Sequence, residues 1–372
     1  MSQLLPGHRV GIIGGSSQNL SIIQAVQLAG YEAFIYRTEA EMDFPAADSQ
    51  TVGSYEDKQA LMDFAQTVDA LLILSNAVDI DIQFALSSKT RIYQSFELAE
   101  VAQNRLVEKL FLEERAINLA PYSLITTVGE LPSALTSIGF PATLTANRPQ
   151  GKEETYMIYD HDMDDHVLEM VTTQPCMLTA WLPTKRSFTV SVIKDFDNHQ
   201  TILPITENTY VNGRLKFSIA SKRMNPEWVI ELKRIAYKVL EGVNGTGLVS
   251  LNIFMATNGI FYVDKVDRLP LPNQWFSQKQ IDYSTAQLMV RLAVSLPINS
   301  VELKKETILI PIYQHMMQKI DLLSLIKPSW EVEYFNRQAS QADDIVGVLR
   351  LSGDSSVDLL NEIDTCDIFQ TK

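Results

Sequence analysis

The most constraining feature lies at the start of the chain. Val10-Gly11-Ile12-Ile13 is a short apolar run that ends in Gly14-Gly15. A helical pattern follows from about Asn19 to Ala29, Gly30 stops it, and Ala33-Phe34-Ile35-Tyr36 is a second apolar run. Strand, glycine turn, helix, strand is a βαβ unit, which demands a parallel sheet with helices packed on it. After a helical pattern near Lys58 to Gln66, Ala70-Leu71-Leu72-Ile73-Leu74 reads as a third buried strand. A Rossmann-like open sheet is therefore expected over residues 1–100. Glycines after its first strand let a backbone approach a phosphate at a helix N-terminus, so Gly14 and Gly15 are candidate substrate-binding residues. The third glycine of a full dinucleotide fingerprint is absent, with Ser16 and Asn19 in its place. Taken alone, the pattern also fits a plain tight turn.

At ~150 residues per domain, 372 residues imply two or three domains. Asp and Glu number 45 against 31 for Lys and Arg, a net charge of −14. That balance argues against a nucleic-acid partner, which needs a basic face. It still allows a small phosphorylated ligand, held by a few local donors. No apolar run approaches the ~20 residues of a membrane span, so no membrane partner is expected. Cys176 and Cys366 lie far apart, against a disulfide framework or metal knuckle. A reducing, cytoplasmic setting is the expectation.

Glu97 to Glu114 reads as one long helix that bridges domains, broken at Ala120-Pro121-Tyr122. A strand at Ser123 to Thr126, a helix near Leu131 to Ile138 and a strand at Ala142 to Thr145 follow. Phe188 to Lys194 and Thr201 to Ile205 read as an antiparallel hairpin about Asp197-Asn198. Leu248 to Phe254 and Gly259 to Val263 form another about Asn258-Gly259, and helices are expected at Glu227 to Leu240, Ser284 to Leu296 and Gln318 to Ile326. The fold class is thus α/β followed by α+β, in three domains: 1–100, 101–298 and a small mixed domain at 299–372.

Chemistry has few candidate seats. His161-Asp162-Met163-Asp164-Asp165-His166 carries metal-ligating residue types, but its spacing matches no familiar ligand set and reads as a solvated loop. In the second hairpin, acidic pairs on neighbouring strands would hold Mg²⁺ against ATP phosphates. Here the places hold Asn252, Asp264 and Lys265, and a lysine there repels a cation.

Together these pieces resemble the ATP-grasp ligases, and among them the 5-(carboxyamino)imidazole ribonucleotide synthetase family. The similarity covers almost the whole chain. It is carried by Val10 to Gly15, Val52-Gly53-Ser54-Tyr55, Ala102 to Lys109, Leu119 to Tyr122, Pro204 to Asn208 and Gly213 to Ala220. The resemblance implies a Rossmann-like N-terminal domain, a central ATP-grasp domain, ATP and Mg²⁺ as cofactors, and a homodimer. It implies a reaction of purine biosynthesis in which ATP phosphorylates bicarbonate and the product carboxylates aminoimidazole ribonucleotide. Arg105 matches a nucleotide-contacting arginine, Glu207 and Asn208 match a Glu-Asn pair, and Arg268 matches a catalytic arginine; Asp264 is the remaining metal candidate. Arg105 is equally explained by an ion pair with a neighbouring glutamate.

Other family residues are replaced. The phosphate-gripping lysine aligns with Thr145, and the glycine-rich loop is reduced to Pro149-Gln150-Gly151-Lys152. The adenine-hinge acids align with Thr179-Ala180, and the two metal-binding glutamates with Asn252 and Lys265. The family's His-Asn-Ser-Gly-His segment has become Pro270-Leu271-Pro272-Asn273-Gln274, and a basic pair near the C-terminus falls at Gln341 to Asp344. These losses imply a ligase with reduced or lost activity; the alternative is a non-catalytic relative that serves as a nucleotide sensor or scaffold.

Overall fold

The computed structural model describes residues 3–147, 153–160, 165–336 and 341–366. The N-terminal part runs β1 (Arg9–Ile13), α1 (Asn19–Leu28), β2 (Glu32–Arg37), β3 (Ser49–Val52), α2 (Lys58–Gln66), β4 (Ala70–Ile73), α3 (Ile80–Leu86) and β5 (Arg91–Ile92). Its strands form a parallel five-stranded sheet in the order β3-β2-β1-β4-β5, as the βαβ reading requires. The edge strand β3 carries no apolar alternation and was not legible from the sequence.

The expected single helix at Glu97 to Glu114 is two helices, α4 (Phe96–Gln103) and α5 (Arg105–Glu114). Asn104 divides them. Its backbone is extended (φ −132°, ψ 113°), and its side-chain oxygen accepts from the amides of Leu106 (3.0 Å) and Val107 (3.3 Å). Asparagine is among the strongest N-caps, and here it stops one helix to start the next.

A four-stranded antiparallel sheet follows, in the order β6-β9-β7-β8. It comprises β6 (Tyr122–Ile125), α6 (Leu131–Ile138), β7 (Ala142–Asn147), β8 (Glu153–Ile158), α7 (Asp165–Thr173) and β9 (Cys176–Ala180). The last sheet is nine-stranded and is built from β10 (Thr184–Lys194), β11 (Gln200–Ile202), β12 (Thr206–Val211), β13 (Arg214–Ala220), β14 (Gly247–Ala256), β15 (Phe261–Asp267), β16 (Glu306–Tyr313), β17 (Glu331–Tyr334) and β18 (Ile345–Gly353). Its order is β15-β14-β10-β12-β13-β16-β18-β17, with β11 beside β10. Helices α8 (Pro226–Leu240), α9 (Thr285–Ala293), α10 (Met317–Ile326) and α11 (Ser356–Asp364) complete the chain. Strands beyond residue 299 continue the same sheet, because β16 pairs with β13.

Alternation along the strands sorts this sheet into two faces. Phe188, Val190, Val192, Val249, Leu251, Ile253 and Val266 pack against Leu232, Ile235 and Val239 of α8 in one apolar core. The residues between them, Thr189, Ser191, Ser250, Asn252, Lys265 and Asp267, form a polar face, and that face meets the site. Among the described residues, no helix is long and apolar enough to cross a membrane.

Candidate active site

Register assembles the polar face. Thr189 stands opposite Thr206 on one side and Asn252 on the other. Asn252 stands opposite Lys265, just before a bulge at Asp264 that shifts the next pair to Ile253 and Val263. The side chains then lock into one network. The Thr189 hydroxyl, fully buried, accepts from Nδ2 of Asn208 (2.8 Å) and Nδ2 of Asn273 (2.7 Å), and donates to Oδ1 of Asn252 (3.0 Å). Ser218 donates to Oδ1 of Asn208 (2.8 Å), and Asn252 donates to Oδ2 of Asp267 (3.3 Å). Lys265 Nζ lies 3.8 Å from Oδ1 of Asp267. Asn273 and Gln274 cover the network from a short turn at Pro272–Gln274; Gln274 donates to Thr206 Oγ1 at 2.8 Å.

A divalent cation of the Mg²⁺ type wants hard anionic oxygens in an octahedral shell. The facing pair on β14 and β15 offers an amide and an ammonium instead. Asp267 is held by both, and Asp264 sits exposed on the bulge, where its backbone oxygen accepts from Arg105 (3.1 Å) and Lys109 (3.4 Å). The carboxylates of Asp264 and Asp267 both help raise the phenol pKa of Tyr210, after burial, the largest cause. Among the described residues no cluster of three or more His, Cys, Asp or Glu is placed to hold a metal. The residues present do not fit Mg²⁺.

The remaining sequence candidates fall in separate places. Thr145 on β7 is buried, its hydroxyl 3.2 Å from that of Thr155. Arg105 Nη1 is 2.7 Å from Glu108 Oε2, the ion pair expected with a neighbouring glutamate, and the same nitrogen donates to Asp264 O. Burial pushes the Glu108 carboxyl up, against the pull of Arg105, Lys109 and the Val266 amide. Glu207 pairs with Arg186, whose guanidinium stacks over Trp228 at 4.8 Å. Arg268, almost wholly buried, reaches the end of β4: it donates to Ile73 O (2.8 Å), Ser75 O (2.6 Å) and Asn76 Oδ1 (3.0 Å). Burial lowers its pKa to about 10. Its contacts are those of an anchor between the first domain and β15. Of the rest, residues 149–152 and 161–164 lie outside the described residues, His166 pairs with Glu154 at 3.2 Å, and Asp343 clamps Arg214.

At the first-domain turn, Gly14 adopts φ +136°, and a Cβ there would lie 2.8 Å from Leu74 O. A Cβ on Gly15 would meet the Glu41 carboxylate, 2.6 Å from Oε2. Glu41 accepts from the Tyr55 hydroxyl (2.6 Å) and the Thr38 amide (2.8 Å), and the Gly15 amide bonds the Tyr55 oxygen. Burial, then Glu41, pushes the Tyr55 phenol far up, so it stays protonated. A cavity of about 760 Å³ opens here beyond the ends of β2, β3 and β4, lined by Glu39, Glu41 and Glu56 together with Thr38, Ser54 and Ser75. Sequence reasoning missed Glu41, Asp267 and Thr189. Only Thr189 had a signal, the Ser187-Phe188-Thr189-Val190-Ser191-Val192 alternation.

The ATP-grasp domain family matches residues 110–267. The N5-carboxyaminoimidazole ribonucleotide synthase of Bacillus subtilis is 24% identical over 307 residues, 81% of this chain and 80% of that protein. An N5-carboxyaminoimidazole ribonucleotide synthetase solved as its ADP complex superposes with a TM-score of 0.92 at 21% identity, covering 99% of both chains. The Aspergillus clavatus enzyme, in complex with ADP and 5-aminoimidazole ribonucleotide, gives 0.88 at 16% identity over 98% of this chain and 99% of that one. The chain therefore carries an ATP-grasp domain over residues 110–267 and is similar in sequence and in fold to the N5-carboxyaminoimidazole ribonucleotide synthases.

Proposed function

We propose that this chain is a nucleotide-binding ATP-grasp protein in which ATP-dependent carboxylation of aminoimidazole ribonucleotide is reduced or lost. The observation that carries the reading is the network about Thr189. Asn252, Asn208 and Asn273 all bond to the Thr189 hydroxyl there, and the strand pair that would present carboxylates to a metal presents Asn252 and Lys265. Phosphoryl transfer depends on positioning and on charge stabilisation of the transferring group. Loss of one preorganised stabilising group costs such sites about 10²–10³ in turnover. By the resemblance, Thr145 and Lys265 stand at two such positions. The Glu41 carboxylate against Gly15 adds a third obstacle, because it repels a phosphate at the turn suited to receive one.

The test is ADP release by the purified chain with ATP, Mg²⁺, bicarbonate and aminoimidazole ribonucleotide, set beside the Bacillus subtilis relative. The expected bicarbonate-dependent rate lies at least about 10³-fold below the relative's. Comparable rates would refute the proposal.

A further inference from the structure

We propose that the polar sheet face about Asn252 and Lys265 binds nucleotide phosphates without a divalent metal, with the Lys265 ammonium as the cation that faces them. The inference rests on the nucleotide-binding reading above and deepens it. Lys265 stands in register with Asn252 on the polar face of the sheet. Its side chain is 29% exposed, and Asp267, its loose partner at 3.8 Å, is 12% exposed. The ammonium thus lies part-exposed on the polar face, with the Asp267 carboxylate 3.8 Å from its nitrogen. A lysine ammonium is a compact charge with rotatable donors, suited to phosphate oxygens. A divalent ion in the same place would meet that positive charge, an amide already bonded on both sides, and a carboxylate already engaged. A metal–nucleotide complex therefore gains little over the free polyphosphate, and binding does not depend on the metal.

Calorimetric titration of the full chain with ATP and with ADP tests this, in Mg²⁺ and again with the metal chelated by EDTA. Binding is expected to change less than about threefold between the two buffers, where a metal-dependent site loses tenfold or more. Lys265→Met, which keeps the stem and removes the charge, is expected to weaken binding in EDTA by about tenfold or more. Its melting temperature reports whether the fold survives, and Lys265→Arg, which keeps the charge, should retain metal-free binding. If wild-type binding needs Mg²⁺, or if Lys265→Met binds as tightly as wild type, the proposal is overturned while nucleotide binding stands. If neither buffer shows binding, the nucleotide-binding reading falls and takes this one with it.

Discussion

Thr189→Val isolates the network from everything else in the cleft. Valine matches threonine in shape, so packing changes little, but the hydroxyl at the hub is gone. Three polar groups lose it: Nδ2 of Asn208, Nδ2 of Asn273 and Oδ1 of Asn252. Asn208 and Asn273 are buried, and water cannot replace the missing partner without entering the sheet face. Each buried group left unmet costs about 1–3 kcal/mol. Asn273 keeps a longer bond to Asn208 Oδ1 at 3.3 Å and Asn252 keeps Asp267, which puts the sum near the low end, about 3–5 kcal/mol. Thr189→Ser is the control. It keeps the hydroxyl and loses one methyl, for about 1 kcal/mol. Urea unfolding followed by tryptophan fluorescence reads both, because Trp275 follows directly on Gln274 and Trp228 packs on Phe188 beneath the sheet. A Thr189→Val variant within about 1 kcal/mol of wild type, or more stable than Thr189→Ser, would refute the claim that the Thr189 hydroxyl is the hub of this network.

Two further outcomes are expected. Arg268→Met unties three acceptors at the end of β4, those of Ile73, Ser75 and Asn76, and should cost about 2–4 kcal/mol, read as faster amide exchange of β4 and a lower urea midpoint. Burial alone would raise the Glu333 carboxyl, but Arg350 and hydrogen bonds from Ser21 and Trp275 overcome it and hold the group below its ordinary value. A carboxyl lowered in the folded state adds stability above its unfolded pKa, and that stability is lost as pH falls through the folded value. Wild type should lose stability below about pH 4.5 more steeply than Glu333→Gln in urea midpoints taken across that range.

Period and punctuation made the first domain legible. Apolar runs at Val10 to Ile13 and Leu71 to Ile73, with glycines at the turns, leave few alternatives to a parallel sheet. Asn104 shows the limit. Leu, Glu and Lys on both sides carry helical propensity, and only the capping geometry reveals that the chain turns there. Ser49–Val52 escaped because an edge strand can be polar on both faces. At the site, the sequence located Asn252 and Lys265 by resemblance, and register then placed them side by side. It could not show that Asn208 and Asn273, 65 residues apart, share one hydroxyl. Nor could it show that Glu41 closes on Gly15, since that contact depends on how the loop after β2 folds back.

Two places in the fold, the first-domain turn and the β14–β15 pair, carry charges opposite to those that phosphoryl chemistry asks for. Where an anion would approach the first-domain turn, Glu41 holds a carboxylate fixed by Tyr55 and the Thr38 amide. Where a cation would sit between β14 and β15, Lys265 holds an ammonium. The bulk charge of −14 predicts neither, because at physiological salt screening confines each effect to about 8 Å. A single inversion could be offset by a neighbour. Two inversions cannot offset each other, because they act on different partners: one on the substrate phosphate, the other on the metal. Both groups are also tied into local hydrogen bonds, Glu41 to Tyr55 and Asn252 to Thr189, so changing either residue would break those bonds before it restored a site. That coupling is why the proposal of lost chemistry and the proposal of metal-free nucleotide binding stand on the same residues and still fail separately: the first needs turnover, and the second needs only one ammonium within reach of a phosphate.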